Sequence, residues 1–307
     1  MAKEVNIRKV AVVGCGFVGS TSAYTLMQSS LFSEMVLIDA DKARAEGEAL
    51  DIKHGLPFAK PMNIYAGDYS DMAGAAQKPG ETRLDLVKKN SAIMKSIIGE
   101  IKKQDCQGIL LVVSNPVDVL TNVALKASGF PENRVIGSGT VLDSARLKYR
   151  LGEHLSVDSR SVHAFIVGEH GDSEIAVWSS ANVSGIAVDD FCEMRGHINH
   201  DKNMRAIAEQ VKNSAYEIIE KKKATYYGIG MAVKRICEAI VRDEKSILPV
   251  SSMIHGIYGI DDVVLSMPAI VGKDGVETLV PISMSSDEVE KLKDSAKTLK
   301  EVLEQTK

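Results

Sequence analysis

The run Lys9-Val10-Ala11-Val12-Val13-Gly14-Cys15-Gly16-Phe17-Val18-Gly19 decides the fold of this chain. An aliphatic strand pattern ends at three glycines spaced G-x-G-x-x-G, and a helical pattern opens behind them. In such a unit the first glycine permits a tight turn and the second lets a pyrophosphate approach the backbone. The third lets the helix pack closely on the strand. Asp39 ends the next aliphatic run, twenty residues after Gly19. A carboxylate there accepts hydrogen bonds from an adenosine ribose and repels a 2′-phosphate, which favours NAD over NADP. The glycine pattern alone is a weak signal, because a glycine-rich turn between packed elements has the same letters. With strand, helix and acid in register, it predicts dinucleotide binding.

Outward from this unit, Met35–Ile38, Gly108–Val113 and Val135–Gly137 are further aliphatic runs separated by helical patterns. Uninterrupted apolar strands alternating with helices predict a parallel sheet covered on both faces, a Rossmann-type doubly wound α/β architecture. The texture changes near Ile136. A helix over 143–154, long helices over 202–223 and 230–242, alternating segments at 246–253 and 262–266, and an amphipathic helix over 286–305 predict an α+β second half. The boundary therefore falls between 1–136 and 137–307.

With 307 residues and 45% hydrophobic content, the chain can bury one large or two medium cores. Its net charge is −4, with no lysine/arginine tract, so neither nucleic acid nor a membrane surface is an expected partner. Cys15, Cys106, Cys192 and Cys237 are scattered and fit neither a zinc pattern nor a disulfide framework. No metal is expected. There is no signal-peptide core at Met1-Ala2-Lys3-Glu4-Val5 and no apolar stretch near the ~18 residues of a membrane span. The expectation is a soluble, cytoplasmic protein.

Candidate chemistry centres on His170, in Gly168-Glu169-His170-Gly171-Asp172-Ser173 directly after the apolar run Val162–Val167. An imidazole at a strand end is a natural proton donor or acceptor near neutral pH, although an isolated loop histidine is more often merely solvated. Three other segments are unusually polar: Gln77-Lys78-Pro79-Gly80-Glu81-Thr82-Arg83, Ser114-Asn115-Pro116-Val117-Asp118 and Asp143-Ser144-Ala145-Arg146. The second ends a buried strand, the edge where open α/β sheets bind ligands. On a helix Asp143 and Arg146 share a face and can point into one pocket, though such a spacing by itself more often marks a surface pair.

These motifs, together with Ala224-Thr225-Tyr226-Tyr227-Gly228, agree in order and spacing with the L-lactate dehydrogenases of the lactate/malate dehydrogenase family, which the chain resembles over nearly its whole length. The resemblance implies that pyruvate and L-lactate are interconverted with NAD, in fermentative NAD regeneration. His170 is then the proton donor and acceptor, Asp143 its orienting partner, and Arg146 the fork that grips the substrate carboxylate. Arg83 polarises the carbonyl from a closing loop; Gln77, Asn115 and Thr225 line the substrate site. Implied cofactor contacts are Gly14, Gly16, Phe17, Val18, Gly19, Asp39, Arg44, Tyr65, Gly74, Ala75, Val113, Asn115 and Ser138. Residues 1–136 become an NAD-binding domain and 137–307 a substrate-binding, catalytic domain. The family also implies a homotetramer. The malate-specific relatives carry arginine at the position of Gln77, to pair a second carboxylate; neutral glutamine favours pyruvate. A malate dehydrogenase of the same fold is the nearest alternative.

Two departures stand out. Many bacterial relatives are activated by fructose 1,6-bisphosphate held by an arginine and a histidine; here the histidine is His163, and the arginine position carries Lys148, which keeps the charge without the fork. An ordinary strand histidine is the equal alternative for His163. Between Met72 and Ala73 the family has an aliphatic strand that is missing here, about ten residues with its turn. That strand would lie centrally beside the first, so its absence predicts two unpaired edges and an opened core. An inactive NAD-binding protein is the corresponding alternative function.

Overall fold

The computed structural model describes residues 8–71, 83–104, 106, 108–197 and 200–304. The opening unit is β1 (Lys9–Val13) followed by α1 (Phe17–Ser29), and β2 (Glu34–Ile38) returns parallel to β1 with Lys9 opposite Glu34. Parallel neighbours need a crossover, and α1 supplies it. α2 (Lys42–His54) is capped by the Asp41 side chain, which accepts from the Arg44 N–H, and leads to β3 (Asn63–Ala66), parallel to β2. β3 is an element the sequence pattern did not reveal. Its four residues include one buried side chain, Ile64, too little for an apolar run to register.

α3 (Arg83–Lys103) precedes β4 (Leu110–Val112), and α4 (Val117–Ser128) crosses to β5 (Val135–Gly137), parallel to β4. The second half contributes α5 (Val141–Leu155), β6 (Val162–Val167), β7 (Ile175–Val183), β8 (Ile186–Ala187), α6 (Val188–Met194), α7 (His200–Lys222) and α8 (Tyr227–Val241). It closes with β9 (Ser246–Ile254), β10 (Val263–Gly272), β11 (Gly275–Leu279) and α9 (Ser286–Glu304). β6, β7 and β8 form an antiparallel sheet. No helix among the described residues is long and apolar enough to cross a membrane.

Parallel pairing ends at β5, but the sheet itself does not. Gly137 pairs with Ser251, so the sheet runs on as β4-β5-β9-β10-β11, and its last three strands are antiparallel. Glycine makes this junction possible: a Cβ at 137 would lie 2.5 Å from Thr121 Oγ1 and 2.8 Å from Ser251 Cβ.

The expected break in the sheet is present. Among the described residues β1-β2-β3 and β4-β5-β9-β10-β11 are separate sheets, and β1 does not pair with β4. Four of the five residues of β1 are only partly buried, whereas four of five in β2 are fully buried. A first strand flanked on both sides would be the better covered of the two. The opened core, however, needs correction. Val13, Val36 and Ile38 on one side and Leu110 and Val112 on the other share a cluster with Met94, Ile97, Ile98 and Ile101 of α3. Side-chain packing thus bridges a gap that backbone pairing does not.

Candidate active site

β6 runs out at Val167, and Gly168 turns the chain with φ +91°. A side chain there would be strained and would also sit 2.7 Å from Ile175 Cδ1. The turn is then pinned through its backbone. Asp118, buried in the first turn of α4, accepts from the His170 N–H at 2.8 Å and from Ser251 Oγ at 2.6 Å; Ser295 of α9 accepts from the Glu169 N–H at 2.9 Å. The histidine is therefore placed by groups far apart in sequence.

The imidazole faces α5. Nδ1 of His170 lies 2.6 Å from Asp143 Oδ2, and the other Asp143 oxygen accepts from Arg146 Nη1 at 2.8 Å. The Asp143 side chain is 3% exposed and that of His170 24%. Burial opposes charge on both groups, but their mutual attraction outweighs it. Asp143 falls below the ordinary carboxylate range, helped by Arg146, and His170 rises to about 9. At neutral pH the pair is imidazolium and carboxylate. Nδ1 is committed to Asp143, so Nε2 is the nitrogen available to a substrate.

Glu174, one residue past the histidine turn, completes the group. Ligand atoms of Asp143, His170 and Glu174 all lie within 4.8 Å of one another. That spacing suits a metal ion, yet both Asp143 oxygens already serve Arg146 and His170. Burial first, and then the charge of Asp143, raise the Glu174 pKa to about 8.

The fingerprint loop has its own local scaffold. Gly14 donates to Ile38 O at 2.7 Å, and Asp39 accepts from the backbone N–H groups of Cys15 (2.7 Å) and Asp41 (2.9 Å). A Cβ at Gly19 would overlap the Gly14 carbonyl oxygen, so helix and turn require glycine there. Gly16 is different: a Cβ would meet nothing within 4 Å. The protein itself does not need glycine at 16, but a pyrophosphate laid against the backbone would. With the Asp39 carboxylate at the next strand end, these residues fit NAD. The Phe17 ring stacks on Tyr226 at 5.3 Å, which brings the loop against the segment holding half-buried Thr225. Val18 follows in α1.

The remaining candidates distribute as follows. The exposed Asn115 lies just past β4 with its carbonyl accepting from Asn90 at 2.9 Å, and Val113 adjoins it. Ser138 ties the ends of β4 and β5 by donating to Val112 O at 2.8 Å. Arg44 stands exposed at the start of α2. Gly74, Ala75 and Gln77 lie outside the described residues, as does the side chain of Arg83, whose backbone opens α3. Lys148 Nζ sits 5.8 Å from the Phe165 ring centroid, and burial holds its pKa low; the exposed His163 lies two residues from Phe165.

Tyr65 is held by two charged side chains. Its hydroxyl donates to Glu34 at 2.7 Å and accepts from Lys9 at 3.1 Å, both at the amino ends of their strands and away from the glycine loop. Tyr69, just beyond the carboxyl end of β3, is half-buried and feels the charge of Asp39. Asp118 stood in a singled-out polar segment without an assigned role, and Glu174 was missed. The sequence signal for Glu174 is adjacency to the Gly168–Ser173 motif, and the contacts of both acids are long-range.

Known proteins match the chain over nearly its whole length. Residues 8–137 match the lactate/malate dehydrogenase NAD binding domain, and residues 140–307 the lactate/malate dehydrogenase alpha/beta C-terminal domain. The chain is 54% identical to an L-lactate dehydrogenase of Acetivibrio thermocellus over 306 positions, 97% of this chain and 96% of that one. It is 52% identical to the L-lactate dehydrogenase of Thermoanaerobacterium saccharolyticum, over 97% and 98% of the two chains. Among solved structures it is similar to a lactate dehydrogenase from a Medee basin deep-sea metagenome library (TM-score 0.92, 46% identity, 97% and 98% covered). It is also similar to the minor L-lactate dehydrogenase of Enterococcus mundtii (TM-score 0.92, 42% identity, 98% of each chain). The Acetivibrio alignment is longer than the share of these 307 residues it covers, so some aligned positions have no residue here.

Proposed function

The chain belongs to the lactate/malate dehydrogenase family, and on that premise we propose that it is an NAD-dependent L-lactate dehydrogenase, interconverting pyruvate and L-lactate. The observation that carries this is the His170–Asp143–Arg146 relay, with contacts of 2.6 and 2.8 Å, together with a loop whose Gly16 is open for a pyrophosphate. NAD, when bound, supplies or accepts the hydride. In pyruvate reduction His170 Nε2 gives its proton to the carbonyl oxygen as the carbon gains hydride, leaving lactate and a neutral ring; the reverse direction needs the ring neutral first. Asp143 fixes the tautomer and stabilises the imidazolium. Arg146 holds the substrate carboxylate, Arg83 polarises the carbonyl, and Asn115 and Thr225 complete the pocket. Gln77 leaves a second carboxylate without a partner, which selects pyruvate over oxaloacetate. The test is the ratio of kcat/KM for pyruvate and oxaloacetate with NADH; a preference for oxaloacetate would make it a malate dehydrogenase.

The division of labour assigns the dinucleotide to residues 1–136 and substrate binding and catalysis to 137–307, with Arg83 and Asn115 contributed by the first segment. The enzyme acts in fermentative NAD regeneration in the cytoplasm. Exposed Leu50, Tyr149, Tyr216 and Ile219 support assembly into a homotetramer, to be checked by light scattering. Lys148 and His163 are the site for fructose 1,6-bisphosphate; a pyruvate saturation curve that ignores the sugar bisphosphate removes that assignment. The split between β1 and β4 favours a second reading, a chain that binds NAD without turnover. Bound NADH that pyruvate fails to oxidise would select it.

A further inference from the structure

Glu174 has no part in the chemistry above, yet it lies against its centre. Its carboxyl stands within 4.8 Å of the ligand atoms of Asp143 and His170, and its Oε1 is buried with no hydrogen-bond partner among the described residues. A buried carboxylate oxygen without a donor disfavours the anion. The charges facing it are Asp143 and Arg146 of α5, His170 of its own turn and Lys212 of α7. Asp143 acts with burial to oppose ionisation, and the three cations act against them.

We propose that Glu174 is a positioning residue for this reaction: it stands as the neutral acid when the pyruvate carboxylate enters, and as the anion it holds the proton on His170 and turns the anionic substrate away. The inference rests on the lactate dehydrogenase reading. Its physical content is a charge count. With Glu174 neutral, the cations His170, Arg146 and Lys212 face one carboxylate, Asp143, and a net positive charge awaits the substrate. Ionised Glu174 removes half of that excess. It also adds a second anion beside the imidazolium, which opposes the neutral ring that lactate oxidation requires. The burial of Glu174 that favours the acid agrees with its pKa of about 8.

Glu174→Gln keeps the shape and removes the ionisation. In wild type, KM for pyruvate should climb roughly tenfold as pH rises from about 7 to about 9.5, faster than kcat falls. In the variant that climb should flatten to about twofold or less, and the onset of lactate oxidation should move down by roughly one pH unit. Glu174→Asp should restore the wild-type climb. Superimposable pH profiles for wild type and Glu174→Gln would overturn the proposal. A readout independent of turnover is the infrared carboxylic-acid band of wild-type protein, expected at neutral pH, lost on alkaline titration and missing from the variant. If the variant fails to fold, the wild-type titration with carboxyl-labelled glutamate still decides: no protonated glutamate at neutral pH refutes the proposal. A wild-type chain that shows the band but no pyruvate turnover would sink the enzyme reading and leave the protonation state of Glu174 standing.

Discussion

Asp143→Asn tests the relay most directly. The carboxylate is the largest influence raising His170 to about 9 against the burial that opposes charge, from an ordinary value of 6.5. Without it the ring should titrate at or below 6.5. At about 1.4 kcal/mol per pH unit, the imidazolium loses roughly 3 kcal/mol of stabilisation. The amide still accepts from Nδ1–H, so the ring keeps its orientation while losing the charge. Pyruvate reduction consumes the protonated ring, so it is lost as pH rises through the His170 pKa. Wild-type kcat should hold to about pH 9, and that of the variant should decline above about 6.5. At pH 9, where a ring titrating at 6.5 is almost wholly neutral while the wild-type ring is about half protonated, kcat/KM should fall roughly a hundredfold. The assay is steady-state NADH oxidation by pyruvate across that range, with circular dichroism to verify folding. A variant within about fivefold of wild type, with its alkaline limb unmoved, would refute the argument that Asp143 sets the charge of His170. The same linkage acts on stability: a raised histidine pKa contributes stability that is fully present below 6.5 and lost as pH rises through about 9.

Other expectations are as specific. Gln77→Arg should move the pyruvate/oxaloacetate ratio of kcat/KM toward oxaloacetate by roughly tenfold or more, because the new guanidinium pairs the second carboxylate; an unchanged ratio would remove Gln77 from substrate selection. Arg146→Lys should cost several kcal/mol of transition-state binding, and a loss in kcat/KM below about tenfold would show that Arg146 does not clamp the carboxylate. Gly16→Ala and Gly19→Ala should separate cofactor from scaffold. A Cβ at 16 meets no protein atom, so the melting temperature should hold while NADH affinity drops; a Cβ at 19 overlaps Gly14 and should destabilise the fold itself. Alternate backbone amides of β1 should exchange with deuterium faster than those of β2, since one edge of β1 lacks a strand partner among the described residues. Uniform protection along β1 would mean that another strand pairs there.

The opening α/β unit, the longer helices and the polar segments of the site were legible because each rests on local rules. Gly14, Gly16 and Gly19 report backbone geometry within one turn, and Asp143 and Arg146 share a helix face by spacing alone. β3 was not legible, since a four-residue strand with one buried side chain has no period to detect. The continuation of the sheet from β5 into β9 was not either. It depends on Gly137 meeting Ser251, residues whose proximity no local pattern encodes.

The site divides along the same line. Sequence by itself determined which side chains are available: an imidazole at a strand end, an acid and an arginine one helical turn apart, and a glycine loop for a pyrophosphate. Tertiary structure decided their states. It brought Asp143 to the ring, pinned the His170 backbone on Asp118 and left a Glu174 oxygen buried without a donor. It also turned Tyr65 toward Lys9 and Glu34 and placed Tyr69 near Asp39. The physical reason is range. Backbone preference and periodicity act over a few residues, whereas desolvation and Coulomb interactions depend on the distances and burial that only the packed chain fixes.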